Sequence, residues 1–340
     1  MANFGDIYEN RKDSLKKKKF VKRVLIKENG KTSANAMEGK VIAAEGKYFY
    51  IKTKDEIVYE GEPGGTLISP NPNASLVAVG DDVFFKPVTH KTEFQAKILK
   101  IKKRRSQLAR RAVGQIPFEH VIASNIENVI IFMSAAEPFY NKKLIDRLII
   151  AADLGDMNPV IFINKIDLMP RDAVLEDLSV YFKLGIPCIL FSVKSGENLD
   201  QMKTFLQGKN SVLVGYSGVG KSTLINSIIG TDLQSTSIVS YQTGKGKHTT
   251  SAVRMFNIPE GGTLIDTPGI REFALWGLLP DQLTFFFKEF DELFQNCKYN
   301  PCTHTHEPDC AVKAAVDAEI IDFDRYQSYL NILDSLINDK

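Results

Sequence analysis

The chain has 340 residues, 44% of them hydrophobic and 25% charged, which excludes a chain too polar to bury a core. Its formal net charge of only +2 excludes a polycation. The charge is uneven, however: Arg11–Arg23 and Lys97–Arg111 are strongly basic and the C-terminal end is acidic, and clustered basic charge can attract nucleic acid even at a balanced total.

The N-terminal stretch "MANFGDIYENRKDSLKKKK" lacks the apolar centre of a signal peptide. Nowhere do about eighteen consecutive apolar residues occur to form a membrane span. A cytoplasmic protein without a membrane partner is expected. In the first part, "RVLIKENG", "GKVIAAEGKYFYIKT", "EIVYEGE" and "DDVFFKPV" are short apolar or alternating runs broken by Gly, Asn and Pro. They predict a small β-barrel, with Gly64–Asp82 as a long closing loop. An OB-fold is the usual barrel of this size that handles nucleic acid, although the pattern does not separate it from other small barrels.

From Val121 the texture changes. "NVIIFMSA", "NPVIFINKIDL", "IPCILFSVK", "SVLVGYSG", "SAVRMFNI" and "GGTLIDTPG" read as strands, and "NKKLIDRLIIAADLGD", "AVLEDLSVYFKLG" and "KSTLINSIIG" as helices. This alternation predicts a doubly wound parallel sheet. Beyond Gly277 the pattern turns helical on both sides of a cysteine cluster. The expected organisation is a barrel over residues 1–112, an α/β domain over 113–277 and a helical metal-binding domain over 278–340.

Chemistry concentrates in the middle part. Gly215-Tyr216-Ser217-Gly218-Val219-Gly220-Lys221-Ser222-Thr223 has the spacing of a phosphate loop between a predicted strand and a predicted helix. The glycines let consecutive N–H groups converge on phosphate, and the helix presents its N-terminus to the same anion. Lys221 can reach the β- and γ-phosphates, and Ser222 can offer its hydroxyl to Mg²⁺. Asp266-Thr-Pro-Gly269 ends a later strand, where Asp266 can hold Mg²⁺ through water and the Gly269 N–H can meet the γ-phosphate. Between them, "TGKGKHTTSAVRMF" supplies Thr250, with Thr249 as its neighbour and rival, as a switch threonine that binds Mg²⁺ when the γ-phosphate is present. His248 is a candidate to position water, because Ile270 stands where many GTPases carry a Gln.

Asn164-Lys165-Ile-Asp167 follows another strand, at the end where open α/β sheets bind ligands. The Asp167 carboxylate can accept from both N1–H and the 2-amino group of guanine, and the Lys165 stem can cover the base. Ser192-Val193-Lys194 can bring a backbone N–H to guanine O6. These guanine motifs precede the phosphate loop, whereas an ordinary GTPase has them after it. Read cyclically the order is correct, so the chain reads as a circularly permuted GTPase. The permutation also puts Asp266–Gly269 a short connection away from the cysteines. There, Cys297, Cys302, His304 and Cys310 offer three thiolates and an imidazole, the donor set of a closed structural zinc site, with His306 as a rival to His304. Cys188 lies in an apolar run and reads as core.

With these residues in place the chain resembles the RsgA (YjeQ) family of small-ribosomal-subunit-dependent GTPases. The permuted order, "GYSGVGKSTLIN", "GKGKHTT", "DTPGIREF" and "CKYNPCTHTHEPDCAV" carry the resemblance over nearly the whole chain. It implies an N-terminal OB-fold, a permuted GTPase domain and a C-terminal zinc domain. It further implies GTP hydrolysis stimulated by the small ribosomal subunit, contact with its rRNA, and service as a late assembly factor. A monomer is the simplest expectation. The alternative reading is another RNA- or ribosome-bound regulatory GTPase such as a translation factor.

Overall fold

The computed structural model describes residues 36–68, 74–88, 94–112, 118–230, 252–270 and 272–338. The expected strand at "RVLIKENG" and the candidates His248, Thr249 and Thr250 lie outside the described residues.

Five strands build the barrel: β1 (Met37–Glu45), β2 (Tyr48–Lys52), β3 (Val58–Ile68), β4 (Asp82–Pro87) and β5 (Gln95–Ile101). Their pairing closes in the order β1-β2-β3-β5-β4-β1, with β3 and β5 parallel and the other pairs antiparallel. Alternation explains the closure, since Val83 and Phe85 of β4 and Ala96 and Ile98 of β5 point inward and are buried. β6 (Gln107–Arg111) and β7 (Glu119–Ser124) flank the expected boundary at residue 112 and pair with each other as a separate two-stranded sheet. Asp81 fastens the barrel to this sheet. Its buried carboxylate accepts from Arg104 Nε and Nη2 at 2.7 and 2.8 Å, from Ser124 Oγ at 2.6 Å and from the Ala78 N–H at 2.8 Å.

The α/β part contains β8 (Asn128–Ser134), α1 (Lys142–Leu154), β9 (Asn158–Asn164), α2 (Arg171–Asp177), α3 (Ser179–Lys183), β10 (Cys188–Leu190), α4 (Leu199–Leu206), β11 (Lys209–Val214), α5 (Lys221–Ile229), β12 (Val253–Asn257) and β13 (Gly262–Asp266). The strand order is β10-β9-β8-β11-β13-β12. Every residue of β8 is buried, as a parallel strand covered on both faces requires. The expectation of a parallel sheet holds for β8 to β11 and β13, but β12 runs antiparallel to β13. The far side of β12 pairs with barrel strand β1, through Ala43 opposite Arg254 and Ala44 opposite Val253. One sheet therefore runs through both parts.

After β13 the connection is core rather than tether: Phe273, Leu275, Leu278 and Leu283 are buried. "DQLTFFFKEFDELFQN" forms three 3₁₀ turns, Pro280–Phe286, Lys288–Phe290 and Phe294–Asn296, in place of a continuous α-helix. A three-residue turn stacks side chains at i and i+3, and Phe287 and Phe290 sit stacked with centroids 5.3 Å apart, both fully buried. α6 (Ala311–Asp317) and α7 (Phe323–Asn338) complete the chain, and α7 packs on α1.

Candidate nucleotide site and metal centre

Three strand ends supply the candidate nucleotide site. β11 runs into Gly215, and Gly220 caps α5 at φ 101°, a left-handed conformation that L side chains rarely adopt. A Cβ there would also meet Asn164 Nδ2 at 2.5 Å. Gly269 approaches the loop from β13, where a Cβ would fall 2.8 Å from the Ser217 nitrogen. The Ile270 N–H donates to Gly215 O at 3.1 Å, and Thr267 Oγ1 donates to Leu213 O at 2.7 Å. The phosphate-loop and DTPG segments therefore lie in direct contact. Ile270 is buried in the core and offers no hydrogen bond to a water.

Asn164 joins the third segment. Its Nδ2 donates to Val219 O of the phosphate loop at 2.9 Å, and its Oδ1 accepts from the Val193 N–H at 3.1 Å. One buried side chain thus ties the NKID, SVK and phosphate-loop segments together. Within Ser192-Val193-Lys194, the segment expected to bring a backbone N–H to guanine O6, the Val193 N–H is engaged by Asn164 here. Lys165 has φ 60° and sends its Nζ to Glu137 O, while Asp167 stands exposed in the 3₁₀ turn Ile166–Leu168. Ser192 is buried and its Oγ accepts from the Ser195 N–H at 3.1 Å, while Lys194 is exposed.

Lys221 is buried, with Nζ donating to Gly215 O at 2.8 Å and Tyr216 O at 2.6 Å, and burial lowers its pKa despite the nearby Asp266. Burial pushes the Asp266 carboxyl up to about 6, although Lys221 opposes the shift, and its Oδ1 has no hydrogen-bond partner. A buried carboxylate oxygen without a partner beside a phosphate loop fits a site that takes Mg²⁺ with a nucleotide. Ser222 and Thr223 are exposed on the first turn of α5.

Sequence reasoning missed the wall beside this loop. Asn141 caps α1 through Oδ1, which accepts from the Lys143 and Leu144 N–H groups, and this turns its Nδ2 toward Tyr216 Oη, 3.2 Å away. An Asn at a helix start was the available signal, but its tie to the phosphate loop depends on tertiary placement.

At the C-terminal end, the ligand atoms of Cys297, Cys302, His304 and Cys310 lie within 4.8 Å of one another. His304 Nδ1 is 3.4 Å from Cys310 Sγ and 3.6 Å from Cys297 Sγ. His306 is exposed, and its Nδ1 meets Thr305 Oγ1 at 2.9 Å, so His304 is the histidine in the group. Three sulfurs and one imidazole nitrogen can hold a metal ion, and the set suits zinc. Burial alone would raise the Glu307 carboxyl, but hydrogen bonds from Thr303 and Thr305 outweigh it and hold it down to about 2. That carboxylate braces the ligand loop, and α7 adds Tyr326 Oη to His304 O at 2.7 Å and Tyr329 Oη to Thr303 O at 2.8 Å. Cys188 is half-buried away from this group, and burial raises its thiol to about 12, which makes it unreactive.

The basic segment Lys97–Arg111 spends much of its charge internally. Lys97 pairs with Glu62, Lys102 with Glu38, Arg104 with Asp81, and Arg110 Nε donates to His120 Nδ1. Lys100, Lys103 and Arg105 have no ion-pair partner among the described residues. No helix among the described residues is long and apolar enough to cross a membrane.

The sequence signature of the RsgA GTPase family matches residues 101–276. A small ribosomal subunit biogenesis GTPase RsgA from Chlorobaculum parvum is 39% identical over 305 residues, spanning 88% of this chain and 98% of its own. The protein of that name from Caldanaerobacter subterraneus is 34% identical, spanning 87% and 95%. Among solved structures, YjeQ from Thermotoga maritima is similar in fold, with a TM-score of 0.64 at 24% identity over 89% of this chain and 99% of that one. YloQ, described as a circularly permuted GTPase, superposes with a TM-score of 0.60 at 25% identity over 92% and 99%. With the phosphate-loop, DTPG and NKID segments in contact in permuted order, the chain belongs to the RsgA GTPase family, circularly permuted enzymes that hydrolyse GTP.

Proposed function

We propose that this GTPase is a late assembly factor of the small ribosomal subunit, and that the subunit stimulates its GTP hydrolysis. The observation that supports the reading most is Asn164, whose one amide joins the base-reading, O6 and phosphate segments into a guanine-nucleotide site. Its relatives are named for small-subunit biogenesis over nearly their full length.

In this reading Asp167 recognises the guanine edge and the Lys165 stem covers the base. The phosphate-loop amides from Gly215 to Thr223 surround the phosphates, and Lys221 leaves the loop carbonyls for the β- and γ-oxygens. Ser222, Thr250 and Asp266 would hold Mg²⁺, which would supply charge neutralisation across the phosphates. Thr249 and Gly269 complete the γ-phosphate contacts, and His248 orients the attacking water in place of the absent Gln. Zinc would be held by the Cys₃His group, a donor set that suits a structural role. The barrel meets rRNA phosphates with Lys100, Lys103 and Arg105. The protein acts as a cytoplasmic monomer.

GTP turnover with and without purified small subunits tests the proposal. Strong stimulation by the free small subunit is expected. Stimulation by the complete ribosome alone would favour a translation-factor role, and no stimulation by either would sink the assembly assignment. Asp167→Asn should shift preference from guanine to xanthine nucleotides, read by competition, because the amide complements a 2-oxo group where the carboxylate complements a 2-amino group.

A further inference from the structure

The two most exposed large apolar side chains among the described residues lie three positions apart in one turn. Ile320 is 74% exposed and Phe323 63%, between α6 and the first residue of α7. Ile321 between them is buried and does the packing that this turn needs. Ile320 and Phe323 contribute nothing comparable to the fold. Isolated exposed hydrophobics are ordinary, but the two largest exposures meeting on one turn are not scatter.

The surroundings define the partner. Asp317, Glu319, Asp322 and Asp324 fall within the same stretch, and all are exposed. Asp324 pairs with Lys142 at 3.0 Å, but no cation among the described residues pairs with Asp317, Glu319 or Asp322, and the stretch 317–324 contains no Lys or Arg. This charge repels RNA phosphates and anionic lipid. It also opposes a second copy of the same face, which would set acid against acid. A basic protein surface that offers an apolar cleft satisfies both features.

We propose that the Ile320–Phe323 turn is a docking knob for a basic protein of the small ribosomal subunit, rather than for its rRNA. The inference rests on the small-subunit reading above and assigns the two ends of the molecule to different partners. The barrel lysines and Arg105 meet RNA. The acidic, apolar-tipped turn of the metal-bearing end meets protein. The apolar pair supplies the buried centre of the contact and the carboxylates its rim, the usual anatomy of a specific interface.

The test uses the full chain with a photo-crosslinking residue, Phe323→p-benzoylphenylalanine, bound to purified small subunits with a non-hydrolysable GTP analogue. A crosslink to a basic ribosomal protein is expected. A crosslink to rRNA, or none while the protein still co-sediments with the subunit, overturns this inference and leaves the assembly-factor reading standing. Failure to co-sediment at all removes that reading and this inference with it. As a second arm, Phe323→Ala combined with Ile320→Ala should weaken subunit binding by about tenfold, while thermal stability and subunit-free GTP turnover stay unchanged. Unchanged subunit affinity would also overturn the knob.

Discussion

Asp266 stores a cost in the nucleotide-free protein. Burial holds its carboxyl near 6, above the ordinary 3.8, so the folded chain keeps a proton that the unfolded chain has released. The stability this group confers is therefore fully present below about pH 4 and is lost as pH rises to about 6, up to about 3 kcal/mol. Asp266→Asn should flatten that part of the profile and raise the melting temperature of the nucleotide-free protein at pH 7. It should also weaken Mg²⁺-dependent nucleotide binding. Melting curves from pH 4.5 to 7.5 check this, and an unchanged slope in the variant would refute it. Wild-type affinity for Mg²⁺-nucleotide should fall as pH drops through about 6, since a proton then competes with the ion. At the metal centre, His304→Ala should abolish stoichiometric metal in the purified protein and His306→Ala should retain it, read by elemental analysis. The opposite pattern would assign the fourth ligand to His306.

At the level of elements, α7 is the fastener of the C-terminal end. Arg325 is buried and its Nη1 donates to Asp146 Oδ1 of α1 at 2.5 Å, while its Nε donates to Glu289 Oε1 at 2.7 Å. Its guanidinium also lies over the Phe287 ring at 4.5 Å, and Tyr181 Oη donates to Asp146 at 2.9 Å. Burial pushes the Asp146 carboxyl up and Arg325 opposes that shift, so the pair is stable only together. Arg325→Ala would leave the buried Asp146 carboxylate and the half-buried Glu289 carboxylate uncompensated and should cost about 3–5 kcal/mol by urea unfolding. Replacing Arg325 and Asp146 together with apolar residues should recover part of that loss, because the stranded charge at Asp146 disappears. Tyr326 and Tyr329 of the same helix hold the loop of the Cys₃His group, so α7 links α1 to that candidate metal site.

Across the whole molecule, one buried apolar cluster contains Ile51 of the barrel, Ile131 of the α/β sheet and Tyr329 of the C-terminal end. The β1–β12 pairing adds a shared sheet. Unfolding of the described body should therefore be cooperative, although a chain of this length ordinarily unfolds in stages. The fluorescence of the single tryptophan, Trp276, should change in the same urea transition as the far-ultraviolet circular dichroism, with chelators shifting both midpoints downward. Two separated transitions would show that the barrel or the metal-bearing end unfolds alone.

Much of the candidate site was legible before any coordinates, because its parts are local. A phosphate loop, DTPG, NKID and a Cys₃His cluster each owe their chemistry to spacing along a few residues, and their permuted order was readable as order. The sheet was legible as strands and helices, since burial on both faces writes itself into runs such as "NVIIFMS". Only the tertiary structure decided what depends on distant partners. It grouped His304 rather than His306 with the three cysteines, placed β12 against the barrel, engaged the Val193 amide with Asn164, and broke the expected helix after Pro280 into turns that stack Phe287 on Phe290. It also showed how much of the basic run Lys97–Arg111 is spent on carboxylates at positions 38, 62 and 81. The reason is physical: spacing determines which groups a short segment can present together, whereas pairing and packing across the chain depend on which remote surfaces the fold brings within a few ångströms.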